Sequence, residues 1–359
     1  MQVSVLNKLL LNFSPSFHRL FIVFFIPFIF NEVLSKNYIE SYVNSNFLFI
    51  LFSSGISFYF LGRRTNTLLI SYVLLSIPSA MYLYLQHGLL SSYIFIYFHF
   101  YQIARSEAYN NKPIIKQLIL EGYYFTLLVL SCFDIFRIEW LVFMCVIPIC
   151  TYFNFEKKPI NNIFDELKSI ITYGATGFLT ASVPFFVIKT VESKVSDLFI
   201  ISLTQCAVFI SLFLLVLRYF SINYLASDKE SESEAIFYLK MRNQCAYLTV
   251  ACIFSLPIYF YTANFFYDYK FTNVELACFS IFYISCTFSI LSFPFSMLCV
   301  KRGIERKNLQ INLVFFICSL LACELLDYIN ILIFWCLYCM ICLLRGLVSL
   351  NMGNKYVYK

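Results

Sequence analysis

The chain has 359 residues, 60% of them hydrophobic and 13% charged, with a formal net charge of +6 and a mean hydropathy of +0.76. A soluble domain carries roughly 45–50% apolar and about 25% charged residues, so this composition excludes a water-soluble globular fold. The apolar runs are unbroken, which excludes a transmembrane β-barrel, whose strands alternate apolar and polar over about 10 residues.

In hydrocarbon every backbone N–H and C=O has to be satisfied within its own segment, so each long apolar run predicts a transmembrane helix. The first predicted span, 18–34, follows a short basic start with Lys8 and Arg19. NEVLSKNYIE comes next, where a cleaved signal peptide would show a small-residue A-x-A-like site, so the helix is expected to stay uncleaved. The remaining spans are predicted at 46–62, 66–86, 88–104, 116–133, 138–154, 168–189, 196–217, 243–262, 272–298, 308–326 and 329–350. The expected fold is therefore an all-α polytopic membrane protein with about twelve transmembrane helices.

Two breaks stand out by length. NFEKKPINNIFDELK (154–168) is read as the seam between a six-helix N-terminal lobe, 1–158, and a six-helix C-terminal lobe, 159–359. The other runs from Arg218 to Arg242 and contains SDKESESEAIFYLKMR, part of which suits a short surface helix. Six spans per lobe make any internal repeat parallel. Two likenesses agree with one: SFYFLGRRTN and SLFLLVLRYFS place Arg63 and Arg218 about seven residues beyond a Ser. The loops ARSEAYNNKPIIKQLI and VKRGIERKNLQINLV are both compact and basic.

Orientation follows from Lys and Arg, which concentrate in cytoplasmic loops. With the N-terminus inside, 21 of the 26 fall on the inner side and 5 (Lys36, Arg137, Lys189, Lys194 and Lys270) on the outer side. The bias supports twelve spans with both termini cytoplasmic. It also accounts for the positive charge without nucleic acid, because the basic residues are strung along many short loops.

The 14 Cys lie mostly inside apolar runs, where a free thiol behaves as a small hydrophobe. Cys336-x-x-Cys339-x-x-Cys342 lacks the fourth Cys and the Pro of an iron–sulfur run, and His18, His87 and His99 are too dispersed for a metal site, so no metal or cofactor is expected. Among the acidic residues, Glu32, Glu275 and Asp327 fall near predicted interfaces. Glu121, early in the fifth span, and Glu324, late in the eleventh, are candidates for proton coupling, since intramembrane carboxylates relay protons in coupled transporters. Pro184 with Gly174 and Gly177 makes the seventh span a candidate bent gating helix, against a static packing kink. No Ser-His-Asp order, phosphate-cradling Gly loop or carboxylate pair assembles, so no catalytic residues are expected.

Three features form a pattern: the Ser- and Gly-containing second span closing on Arg63, the short basic loop after the fourth span, and YGATGFLTASVPFFVIK with its central Pro. That pattern resembles the polysaccharide-export branch of the multidrug/oligosaccharidyl-lipid/polysaccharide exporter superfamily, with closest likeness to bacterial O-antigen flippases of the Wzx type. It covers nearly the whole chain as a sequence of helices and loops. The resemblance implies two six-helix lobes around a central cavity in the bacterial inner membrane. It also implies transport of an undecaprenyl-pyrophosphate-linked oligosaccharide by alternating access, with membrane lipids and other polysaccharide-assembly proteins as partners.

A pyrophosphate crossing apolar depth calls for cations, and Arg suits it through its planar fork. The substrate-binding candidates are Arg19, Arg63, Arg64 and Lys189, with Arg218 and Arg345 as further possibilities. The competing reading makes each a topology determinant or a snorkelling interface residue, and for Arg64, Arg218 and Arg345 that reading is preferred. Rival functions are an O-antigen polymerase, another membrane glycosyltransferase, a drug exporter of the same superfamily, or a non-transporting assembly factor. The first two need a sizeable outer loop, whereas the longest outer segment read here is about a dozen residues, 35–46.

Overall fold

The structure is a computed structural model that describes residues 17–30, 32–59, 66–111, 113–133, 136–152, 175–176, 178–179, 181–226, 234–267, 271–302 and 304–357. Among them all regular structure is helical: α1 (Phe17–Ile29), α2 (Glu32–Tyr59), α3 (Asn66–Asn111), α4 (Ile114–Cys132), α5 (Ile138–Tyr152), α6 (Val183–Val191), α7 (Asp197–Ala226), α8 (Glu234–Tyr267), α9 (Asn273–Phe288), α10 (Phe293–Arg302), α11 (Glu305–Glu324) and α12 (Ile331–Val357). Among the described residues five segments are long and apolar enough to cross a membrane: Ile115–Cys132, Ala235–Phe265, Asn273–Cys299, Arg306–Asp327 and Ile331–Val357. Their outward faces are apolar. On α8 the stripe Tyr247, Val250, Phe254, Ile258, Tyr261 and Phe265 is more than half exposed, a surface that only an apolar solvent accommodates. The chain is an all-α membrane protein.

The described residues divide into two compact units. The first reaches to Ile22 and resumes over Glu32–Ser182; the second takes Val23–Asn31 and Val183–Lys359. The whole of the 154–168 break lies outside the described residues.

In the first unit α3 packs against α2, α4 and α5. α3 is 46 residues long, about 69 Å at 1.5 Å per residue, more than twice a hydrocarbon core of about 30 Å. The length is resolved at Gly88, whose φ of 85° and ψ of 177° break the rod between the two spans read from sequence. The left-handed half of φ/ψ space is open to glycine because it has no Cβ. The sequence placed 35–46 in an outer loop, yet these residues belong to α2 and bury Tyr38, Ile39, Tyr42 and Val43. The period of that buried set is helical, and polar Ser, Asn and Lys between the aromatics hid it. Likewise α1 ends at Ile29, short of the expected 34.

In the second unit α9 packs on α7, α8 and α12, and α12 also packs on α10, α11 and the tight 3-10 turn Ser289–Ser292 that links α9 to α10. Gly346 on α12 permits the approach to that turn: a Cβ there would stand 3.0 Å from Leu291 Cβ and 3.2 Å from the Phe288 carbonyl.

Tyrosine hydroxyls fasten helices to one another's backbones. Tyr93 donates to Leu127 O at 3.0 Å, Tyr124 to Cys145 O at 2.7 Å and Tyr238 to Leu350 O at 2.9 Å. Proline creates some of the acceptors, because it lacks the N–H that the carbonyl four residues back would receive. Pro148 orphans Met144 O, which accepts instead from Tyr123 Oη at 2.8 Å. Pro27 orphans Val23 O inside the π-helical turn Phe21–Phe25, and Gln205 Nε2 supplies the missing donor at 2.9 Å. Phe24 O in the same turn accepts from Tyr267 Oη at 2.8 Å. Both bonds to α1 stay within the second unit.

Candidate functional site

The strongest concentration of buried charge lies in the first unit, where α1, the second half of α3, and α4 meet. Tyr97, Tyr101 and Arg105 recur at intervals of four along α3 and so share one helical face. Glu121 comes from the first half of α4 and is only 9% exposed. Its Oε1 stands 3.3 Å from Arg105 Nε, and its Oε2 accepts from Tyr101 Oη at 2.6 Å. His18 of α1 closes the group, its Nε2 3.9 Å from Glu121 Oε2 and its Nδ1 2.9 Å from Tyr97 Oη.

Aromatic rings surround these polar atoms. Phe125 lies 5.9 Å from the His18 ring and Tyr124 lies 5.2 Å from that of Tyr101. Within this cage the Arg105 and Glu121 side chains are 15% and 11% exposed, and their opposite charges approach to 3.3 Å. Removing one member of a buried pair leaves the other charge unsolvated, while neutralising both together does not. His18 stands between the Glu121 carboxylate and the Tyr97 hydroxyl, hydrogen-bonded to the hydroxyl and 3.9 Å from the carboxylate, longer than a hydrogen bond.

The residues singled out from sequence have different fates. Glu121 is at the centre of this network. Arg19 is half-buried beside it in chain order, its guanidinium carbon 5.5 Å from the centre of the Phe49 ring. Lys189 sits on the last turn of α6 and is neutralised by Glu192 at 2.6 Å, with 42% of its side chain exposed. Pro184 falls in the first turn of α6, just after a bend at Ser182, where its missing N–H breaks no bond of that helix. Glu324 is exposed at the end of α11 and lines a cleft of about 230 Å³ with Thr190, Lys194 and Asp327. In that cleft Lys194 Nζ pairs with Asp327 Oδ1 at 2.6 Å. Arg63, Arg64, Gly174 and Gly177 lie outside the described residues.

Sequence reasoning missed two things. His18 and Arg105 partner Glu121, a fact that only the i, i+4 ladder of Tyr97, Tyr101 and Arg105 hinted at. Arg345 was read as a helix-end snorkelling residue. In fact α12 continues to Val357 and Arg345 is 8% exposed, on the packed face that also carries Trp335, Tyr338 and Ser349. Among the described residues no group of three or more His, Cys, Asp and Glu side chains comes together as a metal site would. No family model matches the chain, nor does any curated protein or any solved structure.

Proposed function

We propose that this chain is a lipid-linked oligosaccharide flippase of the bacterial inner membrane. In this reading twelve spans form two six-helix lobes around a central cavity, and both termini are cytoplasmic. It carries undecaprenyl-pyrophosphate-linked O-antigen repeat units between leaflets by alternating access and contributes to lipopolysaccharide biosynthesis. The observation that carries it is the Arg105–Glu121–His18 network: ionisable groups within membrane helices are costly there and mark ion or substrate pathways. Glu121 serves as the proton-coupling carboxylate, with Glu324 a second acid at the far end of α11. Arg19, Arg63, Arg64 and Lys189 attract the anionic head group, and Gly174, Gly177 and Pro184 let the seventh span bend.

The fold of residues 35–46 also favours a transporter over a polymerase or another membrane glycosyltransferase. That segment was the longest outer stretch available for an active site, and it is a helix with buried tyrosines. The reading is tested in liposomes containing the purified chain and an undecaprenyl-pyrophosphate-linked oligosaccharide in both leaflets. A glycosidase added outside should digest nearly all of the oligosaccharide when the chain is present and about half when it is absent. Digestion stopping at half in both preparations contradicts it.

A further inference from the structure

A second buried charge lies wholly within the second unit and has no part in the network around Glu121. We propose that Arg345, with Asn312 and Ser292, forms a binding site for a phosphate oxyanion. The inference stands independently of the flippase reading.

Arg345 sits deep in α12, 12 residues before its end at Val357, or about 18 Å of helix. An Arg side chain is far too short to snorkel over that distance, and the residue faces the packed interior rather than lipid. Its guanidinium has five N–H groups. Among the described residues two contacts engage it: Nε donates to Asn312 Oδ1 at 2.9 Å, and Nη2 reaches Ser292 Oγ at 3.5 Å. Both partners are neutral, and among the described residues no carboxylate pairs with Arg345.

The neutral partners are themselves ordered. Asn312 Nδ2 donates to Asn308 Oδ1 at 2.9 Å, and Asn308 Nδ2 donates to Ser296 Oγ at 3.2 Å. Each amide oxygen therefore points back along the chain of bonds towards the guanidinium. These dipoles hold the cation in place without cancelling its charge, as a site prepared for an anion requires. Buried Ser349 lies one turn further along the same face of α12. Asn312 and Asn308 step down α11 one turn at a time towards its first turn, where Arg306 and Lys307 are exposed, with Arg302 at the end of α10. Phosphate fits the Arg345 guanidinium best, since the planar fork of Arg matches two phosphate oxygens at once.

Such a phosphate has two possible sources, a free ion or a lipid head group, and one experiment separates them. The purified chain in a neutral maltoside detergent is melted with inorganic phosphate, with chloride at equal ionic strength, with dihexanoyl phosphatidylglycerol, and with dihexanoylglycerol, which lacks the phosphate. A ligand bound only by the folded chain raises the melting temperature by mass action, here by a few degrees. A rise with both phosphate probes supports a site open to free oxyanions; a rise with phosphatidylglycerol alone supports a lipid-borne phosphate. Asn312→Asp keeps the fold testable, because it places a carboxylate at the Nε contact of Arg345 while Asn308 turns its amide over to donate. That variant should melt no lower than the parent and lose the phosphate-dependent rise, while Arg345→Lys should bind phosphate about tenfold more weakly for want of the fork. Equal melting with and without phosphate in the parent, or an undiminished rise in Asn312→Asp, overturns the proposal.

Discussion

Glu121 and Arg105 are coupled strongly enough that neither can be changed alone without consequence. Glu121→Gln keeps an acceptor for Tyr101 Oη but removes the carboxylate that Arg105 approaches at 3.3 Å, so we expect a stability loss of up to about 3 kcal/mol in thermal or denaturant unfolding. Arg105→Met should cost a similar amount by exposing the carboxylate to apolar surroundings. The double variant Arg105→Met with Glu121→Met should recover most of that loss, because it removes both charges together. If the pair is functional, the double variant accumulates normally in membranes yet fails to restore surface polysaccharide. If the pair is only structural, the double variant complements. The sequence singled out Glu121 from its position inside an apolar run, but its partners are long-range neighbours. His18 is 103 positions earlier, and nothing in a single sequence pairs residues at that separation. Arg345 was misread for a more local reason: NMGNKYV after Leu350 looks like a polar tail, which hid the last two turns of α12.

At the scale of the element, prolines and glycines explain where helices bend and what repairs them. Gln205 Nε2 replaces the donor that Pro27 lacks, so the two residues should be energetically coupled. Gln205→Met in the natural background leaves Val23 O buried without a donor and should destabilise by about 1–3 kcal/mol. The same change beside Pro27→Ala, which restores a backbone N–H, should cost about 1 kcal/mol less, as measured by a double-mutant cycle. Gly88 offers a cleaner test of backbone strain, since a Cβ there would meet nothing within 4 Å. Any loss on Gly88→Ala then comes from its backbone conformation, φ 85° and ψ 177°, and about 1–3 kcal/mol is expected from unfolding measurements. Long apolar runs made most helices legible in sequence, and the spans 66–86 and 88–104 were separated at the position where Gly88 breaks α3. The first half of α2 was not legible, because Lys36, Asn37, Glu40 and Ser41 interrupt its apolar positions while Tyr38 and Tyr42 keep the buried face.

The whole molecule is a membrane protein by composition and by the apolar surface it exposes. The further claim, that it crosses twelve times with both ends inside, rests on the 21-to-5 partition of Lys and Arg. Reporter fusions check it: those at Lys36 and Lys194 should read periplasmic and those at Lys112 and Lys229 cytoplasmic. An inverted reading at any of the four adds or removes a span. The composition was sufficient to separate membrane from soluble folds, and the short breaks between runs were sufficient to separate helices from a barrel. Substrate identity is another matter. It depends on charges brought together from distant spans, which hydropathy does not encode.

Moving a lipid-linked sugar and polymerising one leave different products, and a deletion strain separates the two. A sugar head group cannot cross hydrocarbon unaided, because its hydroxyls would be stripped of water without replacement hydrogen bonds. Loss of a flippase should therefore trap single lipid-linked repeat units on the cytoplasmic leaflet, with no repeat on surface lipopolysaccharide, and expression of this chain from a plasmid should restore the full ladder. A deletion strain that displays one repeat unit per surface lipid has moved its sugars without this chain, and that result contradicts the account.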